Sequence, residues 1–292
     1  KYDYYPLILG FAVAISYIRI FSLNNVFMDD HCWIQAVYTS SNITDFLKTG
    51  FFELRRVPQG IVTYPIWMLF KNTDLALFII HLISIVIQIS TPIIMYYFIK
   101  SLFCNKIVAL IISSVYIIYP IDTTVPVITI IPYRLGLIFS IISFYITQRA
   151  LVEKTKWLYL IIALLISAIS HIYFMEGTIA LEPARLFMIC YILHSKGLEK
   201  RIIIINSIKY WTPFILSVIP LVIYKLIYKP YGIYEGSYST DVLFFLNWKL
   251  HARYLAMLLG GNWFYLLVKV KYLSYLSVII GLIVITITYG IL

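Results

Sequence analysis

The sequence predicts an all-α, polytopic membrane protein of about nine transmembrane helices, with two interfacial helices in its first outer loop. Three observations carry this. Apolar runs of about 20 residues recur along the chain, the length needed to cross a hydrocarbon core of about 30 Å. Hydrophobic residues make up 62% of the 292 positions and charged residues only 12%, against roughly 25% charged in soluble domains. The mean hydropathy is +0.90. The runs are continuous, whereas a β-barrel would show short alternating segments.

Span 1 is read over residues 5–23, with Arg19 near its end placed to snorkel to the interface. Residues 24–74 form the first outer loop, which opens on Val26-Phe27-Met28-Asp29-Asp30-His31-Cys32-Trp33. The loop is too polar to span and too apolar for a plain solvated connection. Two interfacial helices are predicted there, over about 32–47 and 59–70, with Glu53-Leu54-Arg55-Arg56 between them. Span 2 covers 75–103 and at that length is tilted or protruding. The turn Cys104-Asn105-Lys106 leads into span 3, over 107–119. Pro120, Pro126 and Pro132 argue against continuous helix through the next loop, and span 4 runs over 135–148. A polar turn precedes span 5 (157–172). Span 6 (177–193) contains Glu182 and Arg185 beside Pro183, so its early part is expected to kink. Span 7 covers 203–228. A Tyr/Gly/Ser-rich loop, an interfacial stretch at 243–251 and spans 8 (252–268) and 9 (272–292) follow. Residues 1–228 thus read as one transmembrane module, and 229–292 as an outer loop plus two spans. A start at Lys1 and a stop inside an apolar run fit a piece of a longer protein.

The formal charge of +10 comes from basic residues scattered over the loops. They make no basic face and no nucleic-acid motif. Anionic head groups and a phosphate-bearing substrate suit this charge better. With the N-terminus in the cytoplasm, the short cytoplasmic turns hold Lys100, Lys106, Arg149, Lys154, Lys196, Lys200 and Arg201, as the positive-inside rule requires. The same orientation gathers Asp29, Asp30, Asp45, Glu53, Asp74, Asp122 and Glu176 on the non-cytoplasmic side. The expected location is therefore the plasma (inner) membrane, with a site on its non-cytoplasmic face. Cys32, Cys104 and Cys190 are too far apart in sequence to suggest a disulfide framework or a metal pair.

The acidic pair at the end of span 1 is the first candidate site. Asp29 or Asp30 could serve as a general base. Asp30 and His31, with His171 and Glu176, are candidate ligands for a divalent cation such as Mg2+ or Mn2+, although no cofactor is demanded. Equally, two aspartates suit the N-terminus of the helix that follows. Arg55 and Arg56 lie at head-group depth, where guanidinium forks bind phosphate oxygens or ordinary lipid heads. Arg134 at the outer end of span 4 could reach the same phosphate, and Asp122 could add a second carboxylate or simply form a turn. Glu182 and Arg185 are three apart and can pair on one helix face. Ionisable groups inside a span default to functional candidates. Glu176, six residues earlier, could join the acidic site.

Phe27-Met28-Asp29-Asp30-His31 and the loop behind it resemble the GT-C superfamily of integral-membrane glycosyltransferases. The block Glu176-Gly177-(Thr-Ile-Ala-Leu)-Glu182-Pro183-Ala184-Arg185 also looks like a Glu-x5-Glu-x2-Arg block of multi-pass members of that group. The resemblance covers about residues 5–228. It implies a polyprenyl-phosphate-linked sugar donor, a glycan, lipid or protein acceptor, and a role in cell-envelope glycan transfer. The family's first-loop acidic residue falls on Asp29, with Asp30 its neighbour, and its second outer acidic residue falls on Asp122. Two other readings remain open: a transporter or lipid flippase with Glu182 and Arg185 as its gate, and a membrane subunit without chemistry.

Overall fold

The computed structural model describes residues 3–17, 20–21, 28–52, 56–118, 128–153, 156–174 and 176–228. The predicted spans 8 and 9 and the loop before them lie outside the described residues. So do Glu53, Arg55 and Asp122, and the side chains of Asp29 and Glu176. Every regular element among the described residues is helical.

Ten α-helices follow one another: α1 (Tyr5–Tyr17), α2 (Met28–Thr39), α3 (Ile43–Lys48), α4 (Val57–Asn72), α5 (Ala76–Phe103), α6 (Lys106–Ile118), α7 (Ile131–Val152), α8 (Lys156–Ile169), α9 (Glu182–Ser195) and α10 (Lys200–Ile227). Among the described residues four helical stretches are long and apolar enough to cross a membrane: Ala76–Phe103, Ile128–Val152, Trp157–Phe174 and Lys200–Tyr224. The 28 residues of α5 extend about 42 Å at 1.5 Å per residue, more than a hydrocarbon core needs. Helices α1 and α6 are shorter apolar pieces, and α9, which carries Glu182 and Arg185, packs against α7 and α10.

Turn chemistry explains most of the boundaries. After α5, Cys104 adopts a left-handed conformation (φ 55°). Asn105 Oδ1 then accepts the N–H groups of Ile107 and Val108 at 2.9 and 3.2 Å, starting α6. Between α9 and α10, Gly197 takes φ +71°, and its N–H bonds His194 O at 2.9 Å, the glycine-closed helix end expected there. A 3₁₀ turn, Ile128–Ile130, leads into α7, which begins before Pro132 rather than after it. Proline is tolerated in a first turn because its missing N–H would have no partner there. Arg134 therefore sits within the helix. Helix α8 runs into a π turn, Ser170–Phe174, and a 3₁₀ turn, Glu176–Leu181, precedes α9. In span 6, whose early part is expected to kink, the 3₁₀ turn gives way to α-helix between Leu181 and Glu182, and Pro183 sits in the first turn of α9.

The first interfacial helix, expected over 32–47, starts earlier and is two helices. Asn42 breaks it by accepting Asp45 N–H at 3.0 Å and capping α3. The second, expected over 59–70, is α4 and extends slightly at both ends. Aromatic side chains knit these pieces together: Trp33 lies 4.3 Å from Phe51, and Phe46 lies 5.2 Å from Tyr64. Tyr38 donates its hydroxyl to Phe70 O, and Lys71 donates to Ser40 O at 3.3 Å, tying the ends of α2 and α4. Gly60 lets α4 approach this cluster, since an added Cβ would lie 2.4 Å from Leu47 and 2.6 Å from Phe51.

At the other end of the bundle the chain start is held by α5. The Asp3 carboxylate accepts Lys100 Nζ at 2.5 Å and the Tyr96 hydroxyl at 2.9 Å. The Lys100 hydrogen bond, opposed by partial burial and helped by Tyr96, holds the Asp3 carboxyl below its ordinary 3.8. Arg149 pairs with Glu153, and Lys196 donates to Leu151 O, at the turns that close the hairpins.

Two predictions follow from this packing. Gly60→Ala is expected to lower stability by about 1–3 kcal/mol through overpacking, read as a fall in the thermal midpoint in detergent. Because the folded-state pKa of Asp3 is depressed, its contribution is complete above the unfolded value of 3.8 and is lost as pH falls through the lowered value. The thermal midpoint of the native chain should thus fall more steeply than that of Asp3→Asn between about pH 5 and about pH 2. Parallel profiles would show that the ion pair contributes nothing.

Candidate functional site: a surface-helix cavity and a buried ionic network

The described residues hold two separate polar centres. The first is a cavity of about 530 Å3 between α2, α4 and the start of α7. From α2, Trp33, Gln35 and Thr39 face it. From the α4 side come Arg56, Gln59 and Trp67. Thr129 and Tyr133 close the third side. The wall alternates rings with hydroxyl and amide groups and carries the Arg56 guanidinium, whose Nη1 donates to the Tyr133 hydroxyl at 3.0 Å. Arg56 is the residue from which α4 springs, so its charge stands at a helix N-terminus.

Asp30 organises the cavity from behind. It is fully buried and does not line the cavity. Its Oδ2 accepts the Ile128 N–H and its Oδ1 the Thr129 N–H, each at 2.9 Å. These are N–H groups at the start of a helical segment, which lack intrahelical acceptors. A carboxylate there also suits the positive end of the helix dipole. The acidic pair also suits the start of the helix that follows it; Asp30 instead lies within α2 and holds the start of a helical segment 98 residues away. It fixes Thr129, and with it the third cavity wall.

The second centre lies inside the bundle. Glu182 and Arg185, 1% and 0% exposed, form a two-pronged pair: Nε to Oε2 at 2.8 Å and Nη2 to Oε1 at 3.0 Å. Arg185 Nη1 donates to Thr147 Oγ1 at 2.7 Å. Ser167 donates to Glu182 Oε1 at 3.0 Å, and His171 Nε2 lies 3.3 Å from the same oxygen. His171 Nδ1 meets the Thr178 hydroxyl at 2.7 Å. The guanidinium is sandwiched between the rings of Phe144 and Phe214, at 4.3 and 4.0 Å, an arrangement favourable to a desolvated cation. Trp211 Nε1 donates to the Glu182 carbonyl at 2.9 Å. The network thus joins α7, α8, the π turn, the 3₁₀ turn, α9 and α10.

Of the residues singled out in the sequence, Arg56 lines the cavity and Asp30 supports it. Arg134 is buried in the first turn of α7. His31 is exposed on α2. Glu182, Arg185 and His171 belong to the internal network and do not line the cavity. Asp29 is the second residue of α2 and Glu176 the first of the 3₁₀ turn. Among the described residues no three His, Cys, Asp or Glu side chains gather as a cation site. Trp33, Gln59, Trp67 and Tyr133 were not singled out from the sequence. Gln59, Thr63 and Trp67 recur every four residues, a one-face signal that could have been read from α4.

The described residues thus define an all-helical fold with four helices of membrane-spanning length and polarity. Comparison with protein-family models, curated proteins and solved structures finds no match to the chain.

Removing one member of the buried pair should leave an uncompensated charge. Glu182→Gln is expected to cost about 3–5 kcal/mol, and the double variant Glu182→Gln/Arg185→Met to recover much of that loss. Thermal unfolding of the single and double variants measures the difference. Equal loss in both would mean the pair is not coupled.

Proposed function

We propose that this protein is a membrane glycosyltransferase of GT-C type, with about nine spans in the plasma (inner) membrane. It moves a sugar from a polyprenyl-phosphate donor to an acceptor hydroxyl at the non-cytoplasmic face. The observation that carries the reading is the cavity under the interfacial helices, where Arg56 stands among rings, amides and hydroxyls. Aromatic faces suit the C–H faces of a sugar ring, side-chain amides and hydroxyls suit its hydroxyl groups, and a guanidinium suits a phosphate. The first-loop acidic pair beside it is the family's catalytic signature.

In this reading the two aspartates divide the work. Asp30 positions, because both its oxygens already hold backbone N–H groups. Asp29 is the general base. It takes the proton of the acceptor hydroxyl as that oxygen attacks the anomeric carbon. The bond from that carbon to the phosphate oxygen breaks, and the lipid phosphate leaves with its charge met by Arg56, with Arg55 as a further cation; Arg134, buried in α7 and absent from the cavity wall, is not assigned to it. Asp122 and Glu176 are further carboxylates for binding substrate. Glu182 and Arg185 hold the bundle rather than the substrate. Among the described residues no three His, Cys, Asp or Glu side chains gather to hold Mg2+ or Mn2+.

The test is transfer from a panel of polyprenyl-phosphate sugars by the protein in lipid nanodiscs. Asp29→Asn is expected to lower kcat by about 10²–10⁴, the usual contribution of a general base. Arg56→Ala should mainly raise KM for the donor. Undiminished transfer by Asp29→Asn, or no transfer from any lipid-phosphate sugar, would sink the reading.

A further inference from the structure

Helix α5 carries a polar stripe that the proposed reaction does not use. His81, Ser84, Gln88 and Thr91 recur at three- and four-residue steps, so they share one face. All four are buried, at 2%, 1%, 0% and 0% exposure. The stripe runs about 15 Å along the helix. Its outer part lies at the end where Asp30 docks, because neighbouring Ile80 packs in one cluster with Ile128 and Ile131. Helix α6 packs along α5, and its Tyr116 hydroxyl donates to Gln88 Oε1 at 3.3 Å. Ser113, one turn from Tyr116, is also fully buried. Thr91 turns its hydroxyl back to Ile87 O at 2.9 Å.

Two buried atoms in these helices have no hydrogen-bond partner: His81 Nε2 and Ser113 Oγ. They fall towards opposite ends of the stripe, since Tyr116 meets α5 at Gln88 and Ser113 lies one turn deeper. Small hydroxyls by themselves suit close helix packing. An imidazole and a carboxamide are not small, and a buried polar atom left unpaired costs about 1–3 kcal/mol. In a hydrocarbon setting no lipid group can supply the missing bond.

We propose that the buried polar face of α5, with α6 packed over its deeper part at Gln88, forms a hydrated seam, a site for a short file of water molecules between His81 and Ser113. Water is the ligand whose chemistry fits. It donates to or accepts from an imidazole nitrogen and a hydroxyl alike, and it needs two to four polar partners. The imidazole, hydroxyl and amide groups of the seam supply them at successive turns. Small hydrophilic solutes thereby gain access to α5 well below the membrane surface. The inference is independent of the transferase reading, since it rests on neither the cavity nor the acidic pair.

The experiment measures aqueous access. In full-length protein with Cys32, Cys104 and Cys190 changed to Ser, the near-isosteric variants Ser84→Cys and Ser113→Cys are treated in native membranes with a charged methanethiosulfonate. Val86→Cys, on the outward face at 54% exposure, is the lipid-facing control. Thiolate, the reactive form, needs water, so both seam cysteines should react at least about tenfold faster than the control. A second readout leaves α5 and α6 unaltered: diethyl pyrocarbonate should modify His81, and should spare equally buried but fully partnered His171. Seam cysteines no more reactive than Val86→Cys would overturn the proposal. So would a His81 as inert as His171.

Discussion

A charge inside an apolar bundle survives only where its partners are built in, and Glu182 with Arg185 draws those partners from every neighbouring element. Thr147 comes from α7, Ser167 from α8, His171 from the π turn, Thr178 from the 3₁₀ turn, and Phe214 and Trp211 from α10. Each would be an unremarkable polar or aromatic residue by itself. Together they fix how four helices and two irregular turns meet. The π turn at Ser170–Phe174 is part of this arrangement, since it carries His171 into reach of Glu182. It also packs against α4, so the network braces the wall of the surface cavity from inside the bundle.

The cavity itself depends on a second long-range carboxylate. Asp30 leaves α2 to cap the helical segment that opens α7, and so closes a three-sided arrangement of surface helices. The aromatic cluster of Trp33, Phe46 and Phe51, pressed against Gly50 and Gly60, gives these short helices a core of their own. That explains how helices as short as six and twelve residues hold position where isolated ones would fray.

Residue patterns with a short physical range were readable in the sequence. Apolar runs gave the long helices, since only length and composition decide whether a helix suits a bilayer. Pro58 and Pro132 both sit in first turns, where a proline leaves no helical N–H bond unmade. Asn42 broke the first interfacial helix through a single side-chain bond, and the average polarity of the stretch did not reveal it. The Glu182–Arg185 pairing was legible from its spacing of three, whereas its full set of partners was not.

What the sequence by itself determined is therefore the helical, membrane-suited architecture, the separate helices within residues 28–72 and the pairing of near neighbours. All of these depend on interactions within a few residues or on bulk hydropathy. Only the tertiary structure decided that Asp30 caps a helix start 98 residues away, that Gln59, Trp67 and Tyr133 share a cavity, and that His171 joins Glu182. Those outcomes depend on which helix faces meet. Packing over the whole bundle sets that choice, and no local pattern of residue types encodes it.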